Sequence, residues 1–89
     1  MNLGDLSWME VEQYLKNEDR IMVVLGATEQ HGYISLKADT EIPYRLAVAA
    51  AEQSGVLVAP QLNFGCSSYF VDFPGTISLR VQTLLSVVE

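Results

Sequence analysis

The chain has 89 residues, of which 49% are hydrophobic and 18% are charged. This composition is typical of a globular protein and excludes an intrinsically disordered one, and the length allows one small domain with a marginal core, since such a chain buries only about 60–65% of its unfolded surface. The formal net charge of −6 disfavours nucleic acid and anionic membranes as partners, because an excess of acid repels phosphate groups.

Targeting and redox features are sparse. The apolar stretch at residues 21–27 is too short to cross a bilayer, and no basic segment leads into a long apolar run. Cys66 is the only cysteine in the sequence, so it has no disulfide partner within the chain and fits a reducing compartment. We therefore expect a cytoplasmic protein with no membrane partner.

The first predicted element is a short amphipathic helix over residues 8–16. Ser7 and Glu10 have the spacing of a capping box, and apolar side chains then recur at helical spacing. We expect Trp8 and Tyr14 on this helix to serve in packing rather than in a ligand site.

Two continuous apolar runs flank a second predicted helix. Residues 21–25 and 56–59 are typical of parallel strands that are buried on both faces. Between them, Asp39 or Thr40 is expected to cap a helix that stops at Gly55. The order strand, helix, strand predicts a right-handed βαβ unit of a parallel sheet.

A third helix is predicted to begin at Ser78 and to continue to the end of the chain. It follows an irregular segment, residues 61–76, that contains glycine and proline. Because two parallel strands bury little surface alone, we expect residues 1–89 to be a single partial domain. The fold class is α/β, with helices that flank the sheet.

Residues with metal-binding chemistry follow the first predicted strand. Glu29 and His31 project to the same side of an extended backbone, and Asp39 returns at the start of the next helix. Ligand sites in open α/β sheets lie at the carboxyl ends of the strands, and one imidazole with two carboxylates suits Zn²⁺ or Mn²⁺. Residue types alone leave two alternatives open, a solvent-facing His31 and an Asp39 that only caps the helix.

Two motifs in the chain resemble those of the creatininase family. Residues 26–32 read Gly-Ala-Thr-Glu-Gln-His-Gly and are followed by Asp39 and Thr40, which is similar to the family's Gly-x-x-Glu-Gln-His-Gly and Asp-Thr. Residues 65–67, Gly-Cys-Ser, and residues 73–79, Phe-Pro-Gly-Thr-Ile-Ser-Leu, resemble the family's later Gly-x-Ser and Phe-Pro-Gly-Thr-Ile-Ser-Leu segments. The similarity extends over about residues 5–89.

The resemblance implies the N-terminal part of a metal-dependent amidohydrolase with a three-layer fold. It makes Glu29, His31 and Asp39 ligands of a two-metal Zn or Mn centre in which the aspartate bridges the ions. Members of the family use metal-activated water to hydrolyse small molecules at non-peptide C–N bonds, such as a cyclic amide or a formamide, and one branch cleaves a modified peptide. They assemble as homo-oligomers, often hexamers.

The resemblance also marks where this chain departs from the family. Tyr33 and Ile34 replace the familiar Pro-His, which indicates a divergent branch. The family's remaining ligands, a His in an Asn-Gly-His-Gly-Gly-Asn segment and a later Glu, lie downstream of these residues, so we expect only part of the site here.

Two further interpretations concern substrate and function. Ser67 is a candidate substrate contact, with a hydrogen bond inside the turn as the alternative. The alternative function is that of a truncated, non-catalytic paralogue that uses an unpaired sheet edge for oligomerisation or interaction.

Overall fold

The structure is a computed structural model that describes residues 2–89. Its elements in chain order are α1 (Trp8–Tyr14), β1 (Ile21–Met22), α2 (Ala38–Ser54), β2 (Leu57–Val58) and α3 (Val81–Val88). Short 3₁₀ turns lie at Leu3–Asp5 and Ser68–Phe70. The predicted α/β class is confirmed.

The two strands pair in parallel across the α2 crossover, which confirms the predicted pairing of the βαβ unit. In the register of this pair, Ile21 lies opposite Leu57 and Met22 opposite Val58. Pairing resumes beyond the short strands, where the Leu62 N–H donates to the Val24 carbonyl at 3.0 Å and the Gly26 N–H donates to the Leu62 carbonyl at 2.9 Å. The chain therefore leaves both strands on the same edge of the sheet.

The core lies between α2 and one face of this sheet. Val24, Ala51 and Val58 are buried there, and the partly buried Met22, Tyr44 and Ala47 pack against them. The expectation that the first strand is buried on both faces is wrong, since Val23 is 64% exposed. Its side chain points to the opposite face, because side chains alternate along extended backbone.

Helix α1 is attached to the sheet through Tyr14. The Tyr14 hydroxyl donates to the Arg20 carbonyl at 2.6 Å and accepts from the Leu57 N–H at 3.1 Å. Trp8 is 73% exposed, so the packing role predicted for it is wrong. The predicted capping box is confirmed, and the helix ends at Tyr14, short of the predicted residue 16, where the chain enters turns.

The boundaries of the other two helices correct the sequence predictions. Helix α2 begins at Ala38 after Lys37 as N-cap, so capping by Asp39 or Thr40 is wrong and both lie in its first turn. Gly55 ends this helix with φ 75°, as predicted. Helix α3 begins at Val81, beyond the predicted Ser78, because Ser78 instead forms a parallel bridge with Gly65.

Across residues 2–89, no helix has both the length and the apolar character that a membrane span requires.

Candidate metal centre

The structure brings together the three residues that the sequence singled out as metal ligands. One ligand atom from each of Glu29, His31 and Asp39 lies within 4.8 Å of the other two, and all three residues are partly buried. Zn–N and Zn–O bonds are about 2.0–2.2 Å long, so two donor atoms on one ion lie no more than about 4.4 Å apart, which is close to the spacing of this cluster.

The imidazole of His31 has a ring nitrogen that makes no hydrogen bond within the described part of the chain. Its Nε2 atom is 3.2 Å from the Oδ2 atom of Asp39, but the two are not arranged as a hydrogen bond. Nε2 is buried and has no hydrogen-bond partner among residues 2–89. Buried polar atoms in folded proteins are nearly always paired, so this nitrogen is available to a ligand.

A close approach between the backbone at Gly26, which follows β1, and the first turn of α2 places Asp39 at the site. A Cβ atom at Gly26 would lie 2.7 Å from the Thr40 Oγ1 atom and 2.8 Å from the Asp39 carbonyl oxygen, so only glycine lets the helix come this near. The buried Thr40 hydroxyl donates to the Ala27 carbonyl at 3.3 Å. Thr40 thus anchors the first turn of α2, and the Asp39 carboxylate lies beside the imidazole of His31.

Neighbouring charges distinguish the clustered carboxylates of Glu29 and Asp39 from that of Glu41, which lies in the first turn of α2. Lys37 and Arg45 each approach the Glu41 carboxylate at 3.7 Å. No described Lys or Arg nitrogen lies within 4.0 Å of the Glu29 or Asp39 carboxylate. The N-terminal end of α2 still favours negative charge at Asp39 through the helix dipole.

Hydrogen bonds on both sides hold Glu29 in the segment that follows β1. The Thr28 carbonyl accepts from the Ile77 N–H at 2.9 Å, and the Thr28 hydroxyl donates to the Asn63 carbonyl at 2.8 Å. The Glu29 N–H donates to the Leu36 carbonyl at 3.3 Å. The second motif, through Ile77, is therefore bonded directly to the first.

Ser67 lies on a different segment, after β2, and is 2% exposed. Its N–H donates to the Ser78 Oγ atom at 2.8 Å. Its own hydroxyl has no hydrogen-bond partner in the described part of the chain, so the turn hydrogen bond considered for that hydroxyl is not formed.

An open cleft of about 440 Å³ adjoins the carboxylate cluster. Its lining is mostly apolar and consists of Leu25, Gly26, Ala27, Asp39, Ile42 and Pro43. Asp39 is the residue of the cluster that borders this cleft, and Ser67 does not line it.

Sequence reasoning missed the contributions of Thr40 and Leu36. The Asp-Thr pair was a usable signal, because a buried hydroxyl beside a ligand suggests an anchor. Leu36 carried no signal, since its contribution is a backbone carbonyl whose partner depends on the path of the loop.

The fold and the cluster define a class, that of α/β proteins with a mixed imidazole and carboxylate centre at the carboxyl ends of parallel strands. The family model named Creatininase, and described as creatinine amidohydrolase, matches residues 4–89. The chain belongs to the creatininase family.

Two relatives illustrate the breadth of this family. The chain is 34% identical over 94 aligned positions to the creatinine amidohydrolase of Pseudomonas putida. This match covers 98% of this chain and 36% of the relative. It is 38% identical over 77 residues to the mycofactocin precursor peptide peptidase of Mycolicibacterium smegmatis, covering 78% of this chain and 31% of the relative. The chain thus spans about a third of the length of these relatives.

Solved creatininase structures superpose on nearly the whole chain. A variant described as Zn-Zn type and a structure described as creatininase Mn each give a TM-score of 0.89 at 34% identity. A variant complexed with creatine gives a TM-score of 0.90 at 35% identity. Each match covers 97% of this chain and 36% of the solved chain.

Proposed function

We propose that the protein carrying this chain is a metal-dependent amidohydrolase, and that Glu29, His31 and Asp39 are metal ligands within it. The observation that carries the proposal is the buried Nε2 atom of His31, which faces the Asp39 carboxylate without a hydrogen bond. Family membership supports the same interpretation.

The residues present fit a divalent metal. Two carboxylates and an imidazole nitrogen suit Zn²⁺ and Mn²⁺, and Zn-Zn and Mn forms are found among the similar structures. When bound, paired ions of this kind polarise an amide carbonyl and acidify a water molecule so that it can attack. Glu29, His31 and Asp39 would hold such a centre together with further ligands from outside these three residues.

The chain's own residues then hold and orient the reactants. Thr40 and the backbone around Thr28 fix the ligand carboxylates before substrate arrives, and such preorganisation removes a reorganisation cost from the reaction. The unpaired hydroxyl of Ser67 is proposed to contact the substrate. We propose a small molecule with a non-peptide C–N bond as substrate, a class that the creatine complex of a similar protein supports, and a homo-oligomeric cytoplasmic enzyme.

The second candidate function is non-catalytic assembly. The exposed Val23 and Leu25 share an apolar cleft of about 270 Å³ with Val87 and Val88 of α3, and an uncovered apolar face of this kind favours association. The three-residue cluster distinguishes the two functions, since an assembly module needs no metal.

The test compares two neutral replacements in the first turn of α2. Asp39→Asn removes a proposed ligand, whereas Glu41→Gln removes an equal charge from a carboxylate outside the cluster. We expect Asp39→Asn to weaken Zn²⁺ and Mn²⁺ binding in calorimetric titrations by at least the roughly 10–100-fold seen for supporting residues, while Glu41→Gln stays near wild type. Equal affinities for the two variants would refute the metal assignment.

A further inference from the structure

We infer that Leu36 is a positioning residue for the metal centre, held in place by the turn at Gly75. This inference rests on the proposed metal-binding function and concerns a residue with no ligand atom of its own. Leu36 acts through Glu29, whose N–H donates to the Leu36 carbonyl at 3.3 Å.

Leu36 belongs to the loop of residues 32–37 that joins two proposed ligands, His31 and Asp39. The other hydrogen bonds of this loop are local: Ile34 N–H donates to the His31 carbonyl at 3.2 Å, and Gly32 N–H donates to the Gln30 side chain at 3.0 Å. Local bonds shape a loop but do not fix it against the domain. The bond from Glu29 to Leu36 closes the loop onto the strand end.

The Leu36 side chain makes the second attachment. A Cβ atom at Gly75 would lie 2.7 Å from Leu36 Cδ1, so the leucine methyl lies directly against the glycine backbone. Gly75 has φ 91°, a left-handed conformation that other residues rarely adopt. Glycine at this position therefore forms the turn and also leaves room for Leu36.

The turn is itself bonded to the segment after β1 that carries Glu29. Ile77, two positions after Gly75, donates its N–H to the Thr28 carbonyl at 2.9 Å. The second motif thus supports Glu29 from two sides, through Thr28 directly and through Leu36 on the loop. This arrangement links the two motifs physically around Glu29.

The test measures Zn²⁺ affinity of the protein that carries this chain by competition with a chromophoric chelator. Leu36→Ala is expected to weaken binding about tenfold, the lower end for residues that orient metal ligands. Leu36→Met preserves the contact and should restore affinity to within about twofold of wild type. Ile34→Ala, in the same loop but 63% exposed, is the matched control and should leave affinity unchanged.

A glycine pair separates the contact from backbone strain. Gly75→Ala displaces Leu36 and should weaken Zn²⁺ binding about as much as Leu36→Ala. Gly55→Ala introduces a similar left-handed strain at φ 75°, with no described atom within 4 Å of the new Cβ, and should not change affinity. The Co²⁺ absorption spectrum should shift for Leu36→Ala and Gly75→Ala alone.

The possible outcomes distinguish the two proposals. Absence of Zn²⁺ binding by the wild-type protein that carries this chain overturns the metal centre and the role of Leu36 with it. If the wild type binds Zn²⁺ and Leu36→Ala leaves the affinity unchanged, only the positioning role is overturned. The same conclusion follows if Leu36→Ala and Ile34→Ala weaken Zn²⁺ binding equally.

Discussion

The hydroxyl of Thr40 donates a hydrogen bond to the carbonyl oxygen of Ala27 at 3.3 Å. This contact joins the first turn of α2 to the backbone just after the first strand run. Because the first turn is held there, the Asp39 Oδ2 atom lies 3.2 Å from the Nε2 atom of His31. The distance between strand and helix therefore controls the candidate metal centre, and Gly26 sets that distance.

Gly26→Ala is expected to destabilise the fold and to weaken metal binding. The added Cβ would lie 2.7 Å from Thr40 Oγ1 and 2.8 Å from the Asp39 carbonyl oxygen, and overpacking of this kind costs about 1–3 kcal/mol. Urea denaturation measures the loss of stability. Zn²⁺ titration of the folded variant measures the loss of affinity expected when Asp39 is displaced. Gly4→Ala is the control, since its Cβ would meet only Pro60 Cγ at an ordinary 3.7 Å. Equal stability of the two variants would show that the close approach is not needed.

Ser67 and Ser78 should respond differently to removal of their hydroxyls. Ser67→Ala deletes a buried hydroxyl that has no partner within residues 2–89, so stability should stay within about 0.5 kcal/mol or rise. Ser78→Ala deletes the acceptor of the Ser67 N–H, bonded at 2.8 Å, and should cost about 1–3 kcal/mol because it leaves that donor unpaired. Chemical denaturation of both variants checks this, and a larger loss for Ser67→Ala contradicts it.

Tyr14→Phe should destabilise the chain through the sheet rather than through helix α1. The lost hydroxyl accepts the N–H of buried Leu57 at 3.1 Å, and an unsatisfied buried donor costs about 1–3 kcal/mol. Tyr69→Phe is the matched control, because Tyr69 is 93% exposed, and its effect should stay within about 0.5 kcal/mol. Denaturation midpoints of the two variants decide the prediction, which fails if they coincide.

Glu18 should make stability depend on acidity. Hydrogen bonds from the Arg20 side chain and backbone lower the pKa of the Glu18 carboxyl from 4.5 to about 2. Because the folded pKa is the lower one, the stabilisation is present above pH 4.5 and is lost as the pH falls toward about 2. NMR titration should place the Glu18 midpoint near 2 in the wild type and markedly higher in Arg20→Ala. An unchanged midpoint in that variant would contradict the assignment.

Local patterns in the sequence predicted the elements whose signals are short-range. The capping box of Ser7 and Glu10 and the helix stop at Gly55 formed as expected, since each depends on neighbours within one helical turn. The parallel pairing of the two apolar runs also followed, because their periodicity and the helix between them restrict the topology.

The failures share a physical cause, namely long-range contacts that override local preference. Ser78 has the character of a helix cap, but it forms a bridge with Gly65 instead, and α3 begins only at Val81. Asp39 is a good capping residue, yet the helix already begins at Ala38, and its first turn lies close against Gly26. Propensities do not contain such contacts, because the residues concerned lie far apart along the chain.

The sequence by itself determined the family, the α/β class and the identity of the three clustered residues, because these depend on motifs and periodicity. Only the tertiary structure decided that the His31 Nε2 atom is buried without a hydrogen bond, that Gly26 admits the first turn of α2, and that Leu36 joins the loop of residues 32–37 to Gly75. Each of these is a distance between segments that fold together, and such distances are fixed by packing rather than by local sequence.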